Sequence, residues 1–315
     1  MMFSVLGAGV AGLCTATSLA ERGARVEVID PDPEPTGASW YAGGMLAPFC
    51  EGEAAPEDVV TRGQAARDWW AARVPGVLQQ GTLVVAPARD RSELQRFARA
   101  TRQHSWVSPG NLEPYLAGRF AEGLYFAEEA HLDPRAATRA LCARLRDLGV
   151  ELQFGTGAQP RGQIVDCRGL AARDLLPELR AVRGEMLILE TREIMLSRPV
   201  RLLHPRFPCY IVPRGEGLFM VGATMIESDR DDPITARSAM ELLSAAYALH
   251  PAFGEAAIVE TGAGLRPALP DNHPSVIFRG ERIFVNGLHR HGFLMSPALA
   301  EEVAATVFQE NHHAC

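Results

Sequence analysis

Three glycines near the N-terminus have the spacing of a phosphate-binding turn. Gly7, Gly9 and Gly12 form a G-x-G-x-x-G motif, and Asp30 follows eighteen residues after the third glycine. The first glycine permits a tight turn, the second lets the backbone approach a pyrophosphate, and the third lets a helix pack closely on a strand. A carboxylate at the position of Asp30 can accept hydrogen bonds from ribose hydroxyls. The spacing therefore predicts a dinucleotide site.

The elements that must position this motif are a strand, a helix and a second strand. The sequence predicts a strand at Val5-Leu6, a helix from Leu13 to Arg22, and a strand from Glu27 to Asp30. Free N–H groups and the dipole at a helix N-terminus favour negative charge, so the pyrophosphate would bind where the helix begins.

Composition excludes several other functions. All 31 basic residues are arginine, which rules out a G-K-[ST] phosphate loop and a lysine Schiff base. The net charge of −7 and the lack of a basic stripe argue against nucleic acid as a partner. No apolar run reaches the length of a membrane span, and we expect no membrane partner.

The cysteines and histidines favour a reducing compartment and no metal. The six cysteines are scattered without a C-x-x-C pair: Cys14, Cys50, Cys142, Cys167, Cys209 and Cys315. Neither His289 with His291 nor the His312-His313 pair has a carboxylate or thiolate at a ligand spacing. Residues 1–20 carry no charge, yet no basic residue precedes them and the glycines lack the pattern of a cleavage site. We therefore expect a cytoplasmic protein without a metal.

Helices and strands alternate at both ends of the chain, and a strand-rich stretch runs from 182 to 226, which predicts a nucleotide-binding domain interrupted by a sheet domain. The patterns also predict a helix over residues 57–73, a strand over Ala256–Glu260 and a closing helix from about Pro297 to Gln309.

Motifs far from the N-terminus decide which dinucleotide is bound. They are Gly43-Gly44-Met45-Leu46, Tyr210-Ile211-Val212-Pro213-Arg214, Val221-Gly222-Ala223-Thr224-Met225, Gly264-Leu265-Arg266-Pro267, and the turn from Gly287 to Pro297. With the opening motif, this set resembles the D-amino acid oxidase superfamily of flavoproteins. Within that superfamily it is most similar to the glycine oxidases of bacterial thiamine synthesis.

The resemblance implies a Rossmann-like FAD-binding domain interleaved with a mixed-sheet substrate domain, an α/β fold. The expected FAD-binding parts are residues 1–78, 131–180 and 256–315, and the expected substrate parts are residues 79–130 and 181–255. It places these residues, including the glycine motif, at FAD: Gly7, Gly9, Val10, Ala11, Gly12, Asp30, Pro31, Ala38, Ser39, Gly43, Gly44, Met45, Leu46, Ala158, Leu288, His289, Arg290, His291, Gly292, Phe293 and Leu294.

The resemblance also assigns the substrate site. Arg266 would hold the substrate carboxylate with Arg290 close by, and Tyr210 and Met225 would line the pocket. The implied reaction is oxidation of glycine or a similar small amino acid to a 2-oxo acid, ammonia and hydrogen peroxide, with dioxygen as the acceptor. No cysteine lies in a motif for a flavin tether, so we expect non-covalent FAD.

Three alternatives stay open at this stage. A flavin dehydrogenase would use the same residues, a sarcosine or D-amino acid oxidase is related, and a non-catalytic FAD-binding protein needs only the opening motif. The bulky Trp40-Tyr41 pair departs from the family pattern, as does Leu288-His289 before the flavin turn, and we expect Trp40 and Tyr41 near the pocket mouth. The sequence leaves the oligomeric state open, a homo-oligomer included.

Overall fold

The computed structural model describes residues 1–34, 36–155, 157–204 and 208–312, with side chains described as far as residue 309. Pro35 of the proline-rich loop, His313 and Cys315 lie outside the described residues, as does the side chain of His312.

The strands alternate with the helices along much of the chain. In chain order the strands are β1 (Met2–Leu6), β2 (Arg25–Asp30), β3 (Met45–Leu46), β4 (Thr82–Val85), β5 (Ser105–Val107), β6 (Gly123–Phe126), β7 (Ala130–His131), β8 (Glu151–Phe154), β9 (Gln163–Asp166), β10 (Arg180–Glu190), β11 (Val200–Leu202), β12 (Cys209–Gly215), β13 (Leu218–Gly222), β14 (Ile226–Glu227), β15 (Ala257–Ala268), β16 (Ser275–Arg279) and β17 (Arg282–Asn286).

The α-helices are α1 (Val10–Glu21), α2 (Pro48–Glu51), α3 (Glu57–Gly63), α4 (Ala66–Ala71), α5 (Arg91–Ala100), α6 (Pro109–Leu112), α7 (Pro134–Asp147), α8 (Ala236–Leu249) and α9 (Gly292–His312). Short 3₁₀ turns connect several elements, and the turn at Ala38–Tyr41 lies beside the candidate site.

Two large sheets organise the described residues. The first has the order β16-β17-β9-β1-β2-β8, parallel except for β16 at its edge. The second has the order β14-β10-β13-β12-β11-β4-β6-β5, and β15 also pairs with β10. A parallel sheet needs cover on both faces, and α1 with α9 packs a buried apolar cluster against it, including Leu13, Leu19, Leu299 and Val303.

The second sheet contributes one face to the candidate site. Side chains alternate between the faces of a strand, so residues paired in register share a face across neighbouring strands. Arg201, Tyr210, Gly222, Met186 and Gly262 form such a row across β11, β12, β13, β10 and β15. In this row the Arg201 side chain and the Tyr210 ring share a face with Met186 and with two glycines that leave space beside them.

The final helix begins earlier than predicted. The sequence predicts its start near Pro297, because proline favours a first helical position, but α9 begins at Gly292 and includes Pro297. Proline has no N–H for the carbonyl of Phe293 four residues earlier. The indole Nε1–H of Trp70 donates to that carbonyl at 2.9 Å, and the Trp70 ring stacks on Phe293. Long-range packing therefore compensates for the proline.

Two other expectations differ from the structure. The predicted helix over 57–73 is two helices, α3 and α4, divided after Gly63. A Cβ on Gly63 would lie 2.9 Å from Cγ of Leu294, so the close packing of Leu294 requires a glycine there. The predicted strand at Ala256–Glu260 extends to Ala268 and pairs with β10 in the second sheet, whereas the predicted boundary assigns residues from 256 onward to the FAD-binding part. The domain division itself stays a prediction.

A buried carboxylate lies beneath the short helix α2. Glu129 is fully buried and accepts the backbone N–H of Cys50 at 2.7 Å. Burial disfavours the charged form and raises the pKa of Glu129 to about 7. In the unfolded chain the pKa of this carboxyl is near its ordinary value of 4.5. Between pH 4.5 and about 7, the folded protein therefore keeps a proton on Glu129 that the unfolded chain has released.

The substitution Glu129→Gln should therefore reduce the loss of stability at alkaline pH. The contribution of neutral Glu129 is present below pH 4.5 and is lost as the pH rises through about 7. Relative to wild type, the variant should gain about 2–3 kcal/mol in free energy of unfolding between pH 4.5 and pH 8. Urea unfolding at both pH values measures this. The exposed Glu128→Gln serves as the control, and equal pH dependence in wild type and Glu129→Gln would contradict the expectation.

Candidate active site

A cavity opens between Val10 at the start of α1, the segment from Ala38 to Ala47, the turn before α9 and strands of the second sheet. It encloses about 1350 Å³ of empty space, part of which is open to solvent. Its lining includes Val10, Ala38, Ser39, Tyr41, Ala42, Gly43, Gly44, Met45, Ala47, Glu51, Gly184, Arg201, Pro208, Cys209, Tyr210, Ala223, Met225, Gly264, Arg266, Pro267, Leu288, His289, Arg290, His291, Gly292, Phe293 and Leu294.

The glycine turn that precedes α1 fits a pyrophosphate. Gly7 has a φ of +96°, and a Cβ on Gly12 would lie 1.8 Å from the carbonyl oxygen of Gly7. Gly9 precedes α1 without a side-chain cap, and the first turn of the helix holds no acidic residue. The N-terminus of α1 therefore keeps the positive potential that an anion needs.

Asp30 and Ser39 hold the two sides of this turn. The Asp30 carboxylate accepts the backbone N–H of Ala8 at 2.6 Å, and the Ser39 hydroxyl accepts the N–H of Val10 at 3.0 Å. Asp30 thereby lies at the end of β2 beside the glycine motif, where its carboxylate could meet a ribose. The cradle fits the adenosine and pyrophosphate portion of a flavin dinucleotide.

The Gly43-Gly44 segment crosses the cavity with its backbone close to other groups. A Cβ on Gly43 would lie 2.7 Å from the Tyr210 ring, and one on Gly44 would lie 2.2 Å from the carbonyl oxygen of Leu132. The buried guanidinium of Arg214 donates to the carbonyls of Ala42, Gly43 and Leu132 at 3.0–3.1 Å. Arg214 therefore fixes this segment against the second sheet.

Arg266 extends its guanidinium into the space left by a glycine. A Cβ on Gly184 of the neighbouring strand β10 would lie 2.2 Å from Nη2 of Arg266. The Nη1 group donates to the carbonyl of Thr224 at 3.0 Å, and no described acidic side chain forms an ion pair with Arg266. Burial lowers the pKa of Arg266, although an arginine remains charged at neutral pH. The cavity therefore contains a cation that has no counter-ion among the described residues.

A second group of charged side chains surrounds Glu51, a residue that the sequence did not predict as part of the site. Its Oε2 lies 2.9 Å from Nε of Arg290 and 3.4 Å from Nδ1 of His291. Burial raises the pKa of Glu51, but the charges of Arg290, His291 and Arg201 outweigh it and lower the pKa overall. Burial lowers the pKa of His289 to about 4, and the positive charge of Arg266 adds to this effect. Glu51 is therefore ionised and His289 neutral at physiological pH.

The structure brings most of the predicted site residues to this cavity. Arg266, Arg290, Tyr210, Met225, Val10, Ala38, Ser39, Gly43, Gly44, Met45 and all seven residues from Leu288 to Leu294 line it. Tyr41 also lines it, but Trp40 does not and lies against the guanidinium of Arg135, 4.5 Å from the ring centre. Met225 is at the open side, 56% exposed.

The other predicted FAD residues lie outside the cavity lining. Gly7, Gly9, Ala11 and Gly12 form the turn and first helical residues beneath it, Asp30 and Pro31 follow β2, Leu46 points into the core, and Ala158 lies in the loop between β8 and β9. Their contact with FAD stays a prediction.

Residues 3–306 match the family of FAD-dependent oxidoreductases called DAO. The chain belongs to this family. It is 56% identical to a Rhizobium etli protein named as the thiamine biosynthesis oxidoreductase ThiO, across 98% of this chain and 97% of that relative. It is 25% identical to the glycine oxidase of Bacillus licheniformis, across 95% of this chain and 91% of the relative.

A solved structure gives the same fold. Glycine oxidase from Bacillus cereus matches with a TM-score of 0.83 at 20% identity, across 98% of this chain and 95% of that chain. The predicted D-amino acid oxidase-like fold and the FAD cofactor are thus confirmed. Within the described part of the chain, no helix has the length and apolar character to cross a membrane, and no group of three or more potential metal ligands lies together.

We expect the FAD to be held without a covalent bond. Cys209 lines the cavity, but burial raises the pKa of its thiol to about 12, so little thiolate is available as a nucleophile. Acid precipitation of the purified yellow protein should release the colour into the supernatant. Colour that stays in the pellet would contradict this, and Cys209→Ser would then test which residue forms the bond.

Proposed function

We propose that this protein oxidises glycine, or an amino acid of similar size, to the 2-oxo acid and ammonia with reduction of dioxygen to hydrogen peroxide. The observation that carries the proposal is Arg266, a partly buried guanidinium in the cavity without an acidic partner among the described residues. A substrate carboxylate would supply the missing counter-ion. Bound FAD would accept the hydride from the substrate and pass electrons to dioxygen.

Arg266 would bind and orient the substrate at the same time. A guanidinium and a carboxylate form two parallel, charge-assisted hydrogen bonds, which fix the direction of the Cα–H bond. The Thr224 carbonyl accepts a hydrogen bond from the guanidinium, and Gly184 leaves room for it because it has no side chain. These two features position the Arg266 guanidinium before the substrate binds. Little rearrangement is then needed on binding.

The cavity walls support a small substrate. Tyr210 lies against Gly43 and Gly222, and the Tyr41 ring packs on Gly262 and Gly264 of β15. With Met225 at the open side, these rings restrict the space near Arg266. Such a lining favours glycine, sarcosine or D-alanine over amino acids with large side chains.

The residues at the start of α9 would hold the flavin end of FAD. Gly292 begins this 21-residue helix, and the N-terminal dipole favours the negative charge that a reduced flavin carries. Arg290 adds a fixed positive charge on the preceding turn. This arrangement supports flavin reduction without a side-chain general base.

The relatives support a role in thiamine biosynthesis, since the Rhizobium etli protein is named for it. We infer that the oxidation product supplies the thiazole branch and that the enzyme works in the cytoplasm. The homo-oligomer stays a prediction.

The substitution Arg266→Ala should raise KM and also lower kcat, because the guanidinium both binds and orients the carboxylate. Loss of a charge-assisted bidentate pair corresponds to about 2–4 kcal/mol, or about thirty- to a thousandfold in kcat/KM. Steady-state peroxide release measures both constants. The exposed Arg237→Ala is the control, and a near-wild-type Arg266→Ala would move the carboxylate site, with Arg290 examined next.

Glycine should bleach the flavin absorbance in the absence of oxygen, faster than D-phenylalanine does. Admission of air should then restore the yellow colour within seconds, because an oxidase returns its electrons to dioxygen. Anaerobic mixing with a panel of amino acids, followed by aeration, measures both steps. Bleaching by D-phenylalanine but not glycine would reject the small-substrate assignment, and recovery only over many minutes would identify a dehydrogenase.

A further inference from the structure

Glu51 is the one carboxylate among the described residues that line the cavity. It ends the short helix α2, directly after Cys50, whose N–H is held by the buried Glu129. The proposed oxidation of an amino acid uses Arg266 but leaves Glu51 without a task. A partly buried, ionised side chain in a ligand cavity calls for a functional explanation.

The two oxygens of Glu51 have different surroundings. Oε2 is fully buried and lies 2.9 Å from Nε of Arg290 and 3.4 Å from Nδ1 of His291, contacts that are ion pairs and not aligned hydrogen bonds. Oε1 lies 3.8 Å from Nη1 of Arg201, beyond hydrogen-bond distance, and no described group donates a hydrogen bond to it. Oε1 is therefore an acceptor available to a ligand in the cavity.

Arg266 and Glu51 act on the same part of the cavity. Tyr210 is the cross-strand partner of Gly222, and Arg266 donates to the carbonyl of Thr224 two residues further along the chain. Arg201, which faces Oε1, is the cross-strand partner of Tyr210. Arg266, which forms no ion pair with a described residue, and Glu51, with its Oε1 free of described donors, therefore both line the cavity on the side of Tyr210.

We propose that Glu51 is a specificity-determining residue, whose Oε1 accepts a hydrogen bond from the substrate amino group while Arg266 holds the carboxylate. This inference rests on the proposed amino acid oxidation. An amino group carries N–H donors, whereas the same position in a simple carboxylic acid carries C–H bonds. Glu51 therefore selects amino acids over carboxylic acids that Arg266 alone would also bind.

Arg290 and Arg201 keep Glu51 in the ionised form that the proposed role requires. Their positive charges keep Glu51 ionised in spite of burial, so that the acceptor is present throughout the physiological pH range. Oε2 faces Arg290 and His291 at ion-pair distance, so Oε1 lies on the side of Arg201. The carboxylate is therefore preorganised, like the guanidinium of Arg266.

Glycine and acetate differ only in the amino group, and their relative affinities test the proposal. The FAD-loaded protein is first reduced chemically under nitrogen, so that glycine binds without being oxidised. Titration calorimetry then gives the dissociation constant of each ligand for wild type, Glu51→Gln and Glu53→Gln. Glu53 is the matched control, because it also lies 3.8 Å from a nitrogen of Arg201 but does not line the cavity.

Glu51→Gln should lower the ratio of glycine to acetate affinity by about ten- to a hundredfold, as loss of a charge-assisted hydrogen bond implies. Acetate itself should bind more tightly, because the cavity gains net positive charge. Glu53→Gln should leave the ratio unchanged. Glu51→Asp, which keeps the charge, should retain part of the preference, and FAD absorbance confirms that each variant is loaded.

Equal changes for glycine and acetate in Glu51→Gln would overturn the proposal and make Glu51 a counter-ion of Arg290 alone. The same loss of preference in Glu53→Gln would overturn it too, since general charge would then explain the result. Failure of the proposed function has a separate signature, because glycine would not bleach the oxidised flavin of the wild-type protein.

Discussion

Burial of like charges is the constraint on which the candidate site depends. Arg201, Arg266 and Arg290 all reach one cavity, and moving several cations out of water is costly unless counter-charges accompany them. Glu51 provides one such charge for Arg290 and Arg201, while Arg266 relies on a backbone carbonyl. The positive charge of Arg266 therefore has no described counter-ion in the folded protein, and an anionic ligand would neutralise it.

The glycines of the second sheet make this arrangement possible. Gly184 and Gly264 are register partners on β10 and β15, and Gly222 and Gly262 flank Met186 in the adjacent row. Side chains at these positions would occupy the space that Arg266, Tyr210 and Tyr41 now fill. The side chains of Arg266, Tyr210 and Tyr41 thus occupy space that is available because these strand positions are glycines.

Local determinants explain what the sequence could predict. The motif of Gly7, Gly9 and Gly12 with Asp30 lies within one strand–helix–strand unit, so spacing alone indicates its geometry. The start of α9 could not be predicted in the same way, because Trp70 supplies the donor for the carbonyl that Pro297 leaves unpaired. Glu51 was missed for a similar reason. Its segment has no motif, and its role arises only when α2, β11 and the turn before α9 meet.

Strand β15, which carries Arg266, lies at a margin of the second sheet, and this position affects its stability. In the described part of the chain β15 pairs with β10 along one side, and its first residues, including Ile258 and Val259, are exposed. A strand at a sheet margin opens more readily than one bonded on both sides, so its amide protons should exchange early. A ligand bound by Arg266 would give β15 a contact in addition to its pairing with β10. Occupancy of the cavity would thereby stiffen a sheet edge whose exposed beginning lies several residues away from the ligand.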